Sequence, residues 1–141
     1  MTTTLLFNIA NATILIMWFV LLALPKWQLT QKLIRFPWVP LVLSFFYIYF
    51  LSVSGGLAEA DFSSLEGITT LFKNSTPSAA AAGWMHYLAF DYWVGCWILT
   101  HSQKNNIPHW AILFPMIFTF MLGPVGVLLY AIVYALFKLT K

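Results

Sequence analysis

The stretch Trp84-Met-His86-Tyr-Leu-Ala-Phe-Asp91-Tyr-Trp-Val-Gly95 is apolar enough to lie in a membrane, yet it carries a histidine and a carboxylate. Asp91 is the only acid within any of the chain's long apolar segments. A charge at the centre of a bilayer costs about 2.5–3.5 kcal/mol on insertion scales, so such a residue marks a functional position by default. Its bland alternative is interhelical glue. Two glycine-bearing or acidic stretches, residues 54–66 and 122–126, are the candidates to converge on it.

The rest of the chain offers little to face water with. Of 141 residues, 61% are hydrophobic and 8% charged, where a soluble domain carries about 25% charged. An integral membrane protein folded as one compact unit is expected. The net charge of +3 is small and scattered. It reads as membrane-flanking Lys and Arg, not as a nucleic-acid surface. The single Cys96 permits no intrachain disulfide and reads as a small packing residue. Met1-Thr-Thr-Thr has no basic region, and no Arg- and Ser-rich transit segment is visible. The first apolar run therefore reads as a retained span.

Four spans are expected, at about 5–24, 39–54, 77–102 and 109–137. A helix of 20 residues crosses a hydrocarbon core of about 30 Å. Pro25-Lys-Trp27 closes the first span, and residues 28–36 read as a short polar connection. Ser63-Ser-Leu-Glu66 fits a capping box. Leu65, Ile68, Leu71 and Phe72 follow at helical spacing, which predicts a short amphipathic helix over 64–73. It lies at the interface or folds over the bundle as a lid. Ser75-Thr-Pro77 reads as an N-cap with proline in the first turn. Gly123-Pro-Val-Gly126 should kink the fourth span. Lys26, Lys32, Arg35 and Lys104 put loops one and three in the cytoplasm and both termini outside. Lys138 and Lys141 argue the other way.

His86 and Asp91 lie about 140° apart around a helix, so each is expected to meet a partner from another span. Together they suit acid and base chemistry. Asn8 and Asn11 share one face of the first span. They could orient a substrate oxygen or simply join helices. Phe90, Tyr92, Trp93 and Trp97 around Asp91 suit a long apolar ligand. No H-x-x-x-H or E-x-x-H pairing exists among His86, His101 and His109, so no metal site is expected. A haem held by His86 is weakly supported, and no nucleotide loop is visible.

The combination of Trp84-x-His86-Tyr-Leu-Ala-Phe-Asp91-x-x-x-Gly95, Asn105-Asn-Ile-Pro-His109 and Gly123-Pro-Val-Gly126 resembles the family named for the plant abscisic-acid-deficient-four protein, the neoxanthin synthase family. The resemblance runs from the first span to the end of the chain and points to a short prokaryotic-type member. It implies conversion of an epoxy-carotenoid such as violaxanthin to an allenic alcohol. That isomerisation needs no cofactor. It needs a proton delivered to the epoxide oxygen and one removed from a nearby carbon. Asp91 and His86 are the implied catalytic pair, and Glu59, Asp61 or Glu66 could add an acid from the lid.

The expectation is thus an all-α integral membrane protein, a four-transmembrane-helix bundle with one amphipathic helix between spans two and three, in a bacterial inner membrane. It would act on a carotenoid-like or isoprenoid substrate, with Asn8, Asn11, Glu59, Trp84, Tyr87 and Trp93 as substrate contacts. Membrane lipid is the expected surrounding, and a homo-oligomer stays open. The alternative is a non-catalytic membrane protein that binds a carotenoid, haem or lipid, or an accessory subunit of a pathway enzyme.

Overall fold

The computed structural model describes residues 2–55 and 60–139. These residues are all-helical, with no strand among them. Helix α1 spans Thr3–Ala23, α2 Gln28–Arg35, α3 Trp38–Val53, α4 Leu65–Lys73, α5 Pro77–Lys104, α6 His109–Leu122 and α7 Pro124–Leu139. Among the described helices α1 alone is long and apolar enough to cross a membrane; α2 and α3 pass the same test jointly but are bent by 58°. Pro37 at the bend disfavours helical backbone in the residue before it.

Helix α5 is the axis. It packs against α1, α2, α3, α6 and α7. Its start is set locally: Thr76 accepts from the Ala79 amide at 3.2 Å, and Pro77 occupies the first turn. Its end is equally local. Asn106 takes φ 55°, Ile107 N donates to Ser102 O at 2.9 Å and Asn106 N to Gln103 O at 3.3 Å. This is a Schellman cap with asparagine in the left-handed position. Met85, Tyr92, Ile98 and Leu99 of α5 are fully buried beside Ile14 and Trp18 of α1, Phe50 of α3, and Ile112 and Met116 of α6. The Trp18 ring sits directly on Gly95, where a Cβ would come within 2.5 Å of the indole.

Residues 28–35 of the expected polar connection form a helix, not a loop. Eight residues are too few to hold a helix alone. Here Thr30 Oγ1 donates to Leu24 O at 2.6 Å and Gln31 Nε2 to Pro25 O at 2.7 Å. These two bonds tie α2 to the end of α1.

The expected capping box at Ser63 is displaced by one residue. Ser64 is the N-cap of α4, accepting from Gly67 N at 3.0 Å. Ser63 instead gives its amide and hydroxyl to Asp61 Oδ1, at 2.8 and 2.6 Å. Asp61 takes the Ser63 amide, the donor that Glu66 would accept from in a capping box there.

The largest departure concerns residues 109–137. They do not form one kinked span. Helix α6 ends at Leu122, Gly123 takes φ 36°, and α7 folds back alongside α6. The rings of Trp110 and Phe137 lie 6.4 Å apart, where a continuous helix would hold them about 40 Å apart. Gly126 seats α7 against the Thr119 backbone and hydroxyl of α6, with no room for a Cβ. Proline and glycine together break the helix completely, because Gly123 can take a backbone conformation closed to L side chains.

Candidate functional site

Helix α5 presents its two candidate side chains to two different neighbours. His86 is exposed on α5 and its ring lies 5.9 Å from Tyr47 of α3 and 4.7 Å from Phe90. His86 and Tyr47 line one cleft of about 470 Å³, walled by Leu51, Leu71, Phe72 and Tyr87. Leu71 and Phe72 come from α4, so the amphipathic helix forms one side of this cleft. A volume of this size is in the range of small-molecule sites, which are apolar with a few converging polar groups.

Neither His86 nor Tyr47 makes a hydrogen bond among the described residues. The other two histidines are engaged. His101 Nδ1 is 2.7 Å from the Tyr130 hydroxyl, and its ring stacks on Trp97 at 5.2 Å. His109 Nε2 donates to Leu22 O at 2.8 Å, joining α6 to α1. Both hold helices together at the far end of α5. His86 is therefore the one histidine left with its ring nitrogens unengaged among the described residues.

Asp91 turns the other way. It is half-buried, and its Oδ1 lies 2.5 Å from where a Cβ on Gly123 would sit. The carboxylate meets the α6–α7 turn and makes no hydrogen bond among the described residues. The expected acid–base pair is thus not brought together. Five residues advance a helix about 7.5 Å and turn it about 140°, and here that rotation carries the two side chains to different neighbouring helices.

A family model described as ABA DEFICIENT 4-like matches residues 5–130. The chain belongs to the ABA DEFICIENT 4-like family. No curated protein and no solved structure matches it.

The remaining candidates in this ABA4-like chain divide between the two faces. Trp84 and Tyr87 line the His86 cleft. Trp84 Nε1 also donates to Asn11 Oδ1 at 3.0 Å, so Asn11 joins α1 to α5 beside the cleft. Asn8 is exposed, with no hydrogen bond among the described residues. Trp93 is exposed with its ring 6.0 Å from Phe90. Glu59 lies outside the described residues. The two stretches expected to converge on one place instead separate: Phe62 reaches the His86 cleft, and Gly123 reaches Asp91. Ser54, Asp61 and Glu66 line a different, polar basin of about 480 Å³ near α4.

Tyr47 lines the cleft beside His86 and is the candidate that sequence reasoning left unassigned. In the ABA4-like sequence it belongs to a weakly polar side of the second apolar segment, with Ser44 and Ser54. Nothing local distinguishes it from the chain's other tyrosines.

Proposed function

We propose that this protein is a membrane-embedded isomerase of the neoxanthin synthase type, acting on a carotenoid or related isoprenoid. The observation that carries the reading is His86: an unengaged imidazole in an apolar cleft roofed by an amphipathic helix. Membership of the ABA DEFICIENT 4-like family supports the substrate class. A neutral imidazole is suited to take a proton from carbon next to an epoxide. The apolar walls admit a long hydrocarbon body and keep water from the reacting carbons.

The reversal at Gly123 fits a multi-pass topology in which α1, α3 and α5 cross and α6–α7 is a re-entrant pair. At 14 and 16 residues, its arms are about 21 and 24 Å long, and because the chain turns back between them both arms open on one side. The reversal returns Lys138 to the end of the bundle that carries Lys26, Lys32, Arg35 and Lys104. On this topology Lys26, Lys32, Arg35, Lys104 and Lys138 share one side, as the bias of basic residues toward one face of a membrane favours. The amino and carboxyl termini then lie on opposite sides of the membrane. Impermeant labelling of single cysteines placed at positions 2 and 139, in a Cys96→Ser background, checks this; labelling of both from one side would refute it.

One observation favours a second reading. Asp91 does not face the cleft, so the cleft lacks the carboxyl member of the implied catalytic pair. A protein that binds an isoprenoid without turning it over fits that gap. The deciding experiment presents violaxanthin in lipid vesicles to the purified protein and analyses the pigment by chromatography and mass. An isomer of unchanged mass supports the enzyme. Stable retention of unchanged pigment supports the binder.

A further inference from the structure

The cleft contains a second polar group able to fill the place of the missing acid. Tyr47 and His86 come from different helices, with ring centroids 5.9 Å apart, and both line the same apolar space. Neither is consumed by a hydrogen bond among the described residues. Tyr92 and Tyr130, by contrast, are buried in the core. A phenol both donates and accepts, and a neutral imidazole does the same through its two nitrogens. Tyr87 and Ser75 add hydroxyls to the lining, and Tyr47 is the one whose ring packs against His86; apolar walls with this polar pair match one kind of ligand: a long hydrocarbon bearing an oxygen function near one end.

We infer that Tyr47 and His86 together hold the oxygenated end of an isoprenoid ligand, with the Tyr47 hydroxyl donating to the ligand oxygen. Leu71 and Phe72 of α4 lie over the adjoining hydrocarbon. The catalytic part of this inference rests on the isomerase reading above. On that reading Tyr47 gives its proton to the epoxide oxygen as the carbon–oxygen bond breaks. His86 takes a proton from the neighbouring carbon, and the electron pair of that carbon–hydrogen bond becomes the new double bond. The imidazolium then returns a proton to the tyrosinate. The product is an isomer of the substrate, and both side chains regain their starting states.

The test compares wild type with Tyr47→Phe and His86→Gln, using Tyr49→Phe as the control on the same helix. Two probes are used in vesicles, violaxanthin and the hydrocarbon β-carotene, with retention and turnover both measured. Melting of each variant confirms that it is folded. In wild type, violaxanthin is retained in preference to β-carotene. Tyr47→Phe is expected to weaken violaxanthin retention by about tenfold, the size of one hydrogen bond to a buried partner, while β-carotene retention stays the same. Turnover by Tyr47→Phe falls by a further factor, because proton donation is lost as well.

The outcomes separate the two claims. If wild type isomerises violaxanthin and folded Tyr47→Phe does so equally well, the Tyr47 assignment is overturned and the isomerase reading stands. If wild type only retains violaxanthin and that preference vanishes in Tyr47→Phe, the oxygen-holding pair stands and the isomerase reading falls. If wild type shows no preference for violaxanthin over β-carotene, the pair is overturned.

Discussion

His86 and Asp91 occupy one helix, five residues apart, yet their surroundings differ in kind. His86 opens onto a cleft whose third wall is a short helix, α4, joined to α3 by a connection. Asp91 faces the α6–α7 turn at Gly123. The first arrangement leaves room for a ligand. The second leaves so little that Gly123 cannot carry a Cβ. A histidine and an acid in one apolar helix look equally functional in sequence. What separates them is the neighbour each meets: a removable side chain wall in one case, a fixed helix break in the other.

The sharpest way to break this comparison is to exchange the two losses. His86→Ala is expected to lower isomerisation by about 10²- to 10⁴-fold, the usual contribution of a positioned general base, while the protein stays folded. Asp91→Asn keeps the shape and removes the charge. It is expected to change turnover by less than tenfold and to act on the α6–α7 turn instead. Turnover of violaxanthin in vesicles reads both variants. If Asp91→Asn is the silent enzyme and His86→Ala the active one, the two faces have been assigned the wrong way round.

A smaller effect comes from the glycines. Gly123→Ala is expected to destabilise by about 1–3 kcal/mol, because an L side chain is strained at this backbone conformation and its Cβ would sit 2.5 Å from Asp91 Oδ1. Gly83→Ala, on the cleft side of α5, meets nothing within 4 Å and is expected to be neutral or mildly stabilising, by up to about 1 kcal/mol. Thermal melting in detergent compares them. Repeating Gly123→Ala in an Asp91→Ala background separates the two causes. Recovery of part of the loss measures the contact with the carboxylate, and the remainder measures backbone strain.

Local features of this fold were legible in the sequence, and long-range ones were not. Thr76-Pro77 announces the start of α5 because the cap involves neighbours three residues apart. The 140° between His86 and Asp91 follows from helix geometry alone, and it already argued against a direct pair. Ser63-Ser-Leu-Glu66 misled by one residue because Asp61, outside the motif, takes the Ser63 amide that Glu66 would have accepted from. Gly123-Pro124 signals a break, but a kink and a complete reversal share that signal. Contacts such as Trp110–Phe137 and His101–Tyr130 distinguish them, and each joins residues far apart in the chain. Tyr47 was hidden for the same reason. Its relevance comes from facing His86 across two helices.

The smallest effect concerns the wall of the cleft. Ser63 and Ser64 donate to the Asp61 carboxylate through their hydroxyls and the Ser63 amide, and these bonds hold its pKa down at about 2. The group lies ahead of α4, outside the apolar segments. Gly67 leaves the space beneath the carboxylate, where a Cβ would come within 2.5 Å of Asp61 Oδ2. A carboxylate with a lowered folded-state pKa stabilises its surroundings fully above the unfolded value of about 3.9 and stops doing so as pH falls through the folded value. The start of α4 is therefore expected to hold unchanged from neutral pH to about pH 4 and to loosen between about pH 4 and 2. Amide hydrogen exchange over residues 64–68, corrected for the intrinsic pH dependence of exchange, reads this directly. Asp61→Asn should give the loosened behaviour at neutral pH, with faster loss of violaxanthin if α4 closes the cleft. Unchanged pigment release alongside faster amide exchange would show that α4 can fray at its start without opening the site, and would confine the lid to Leu71 and Phe72.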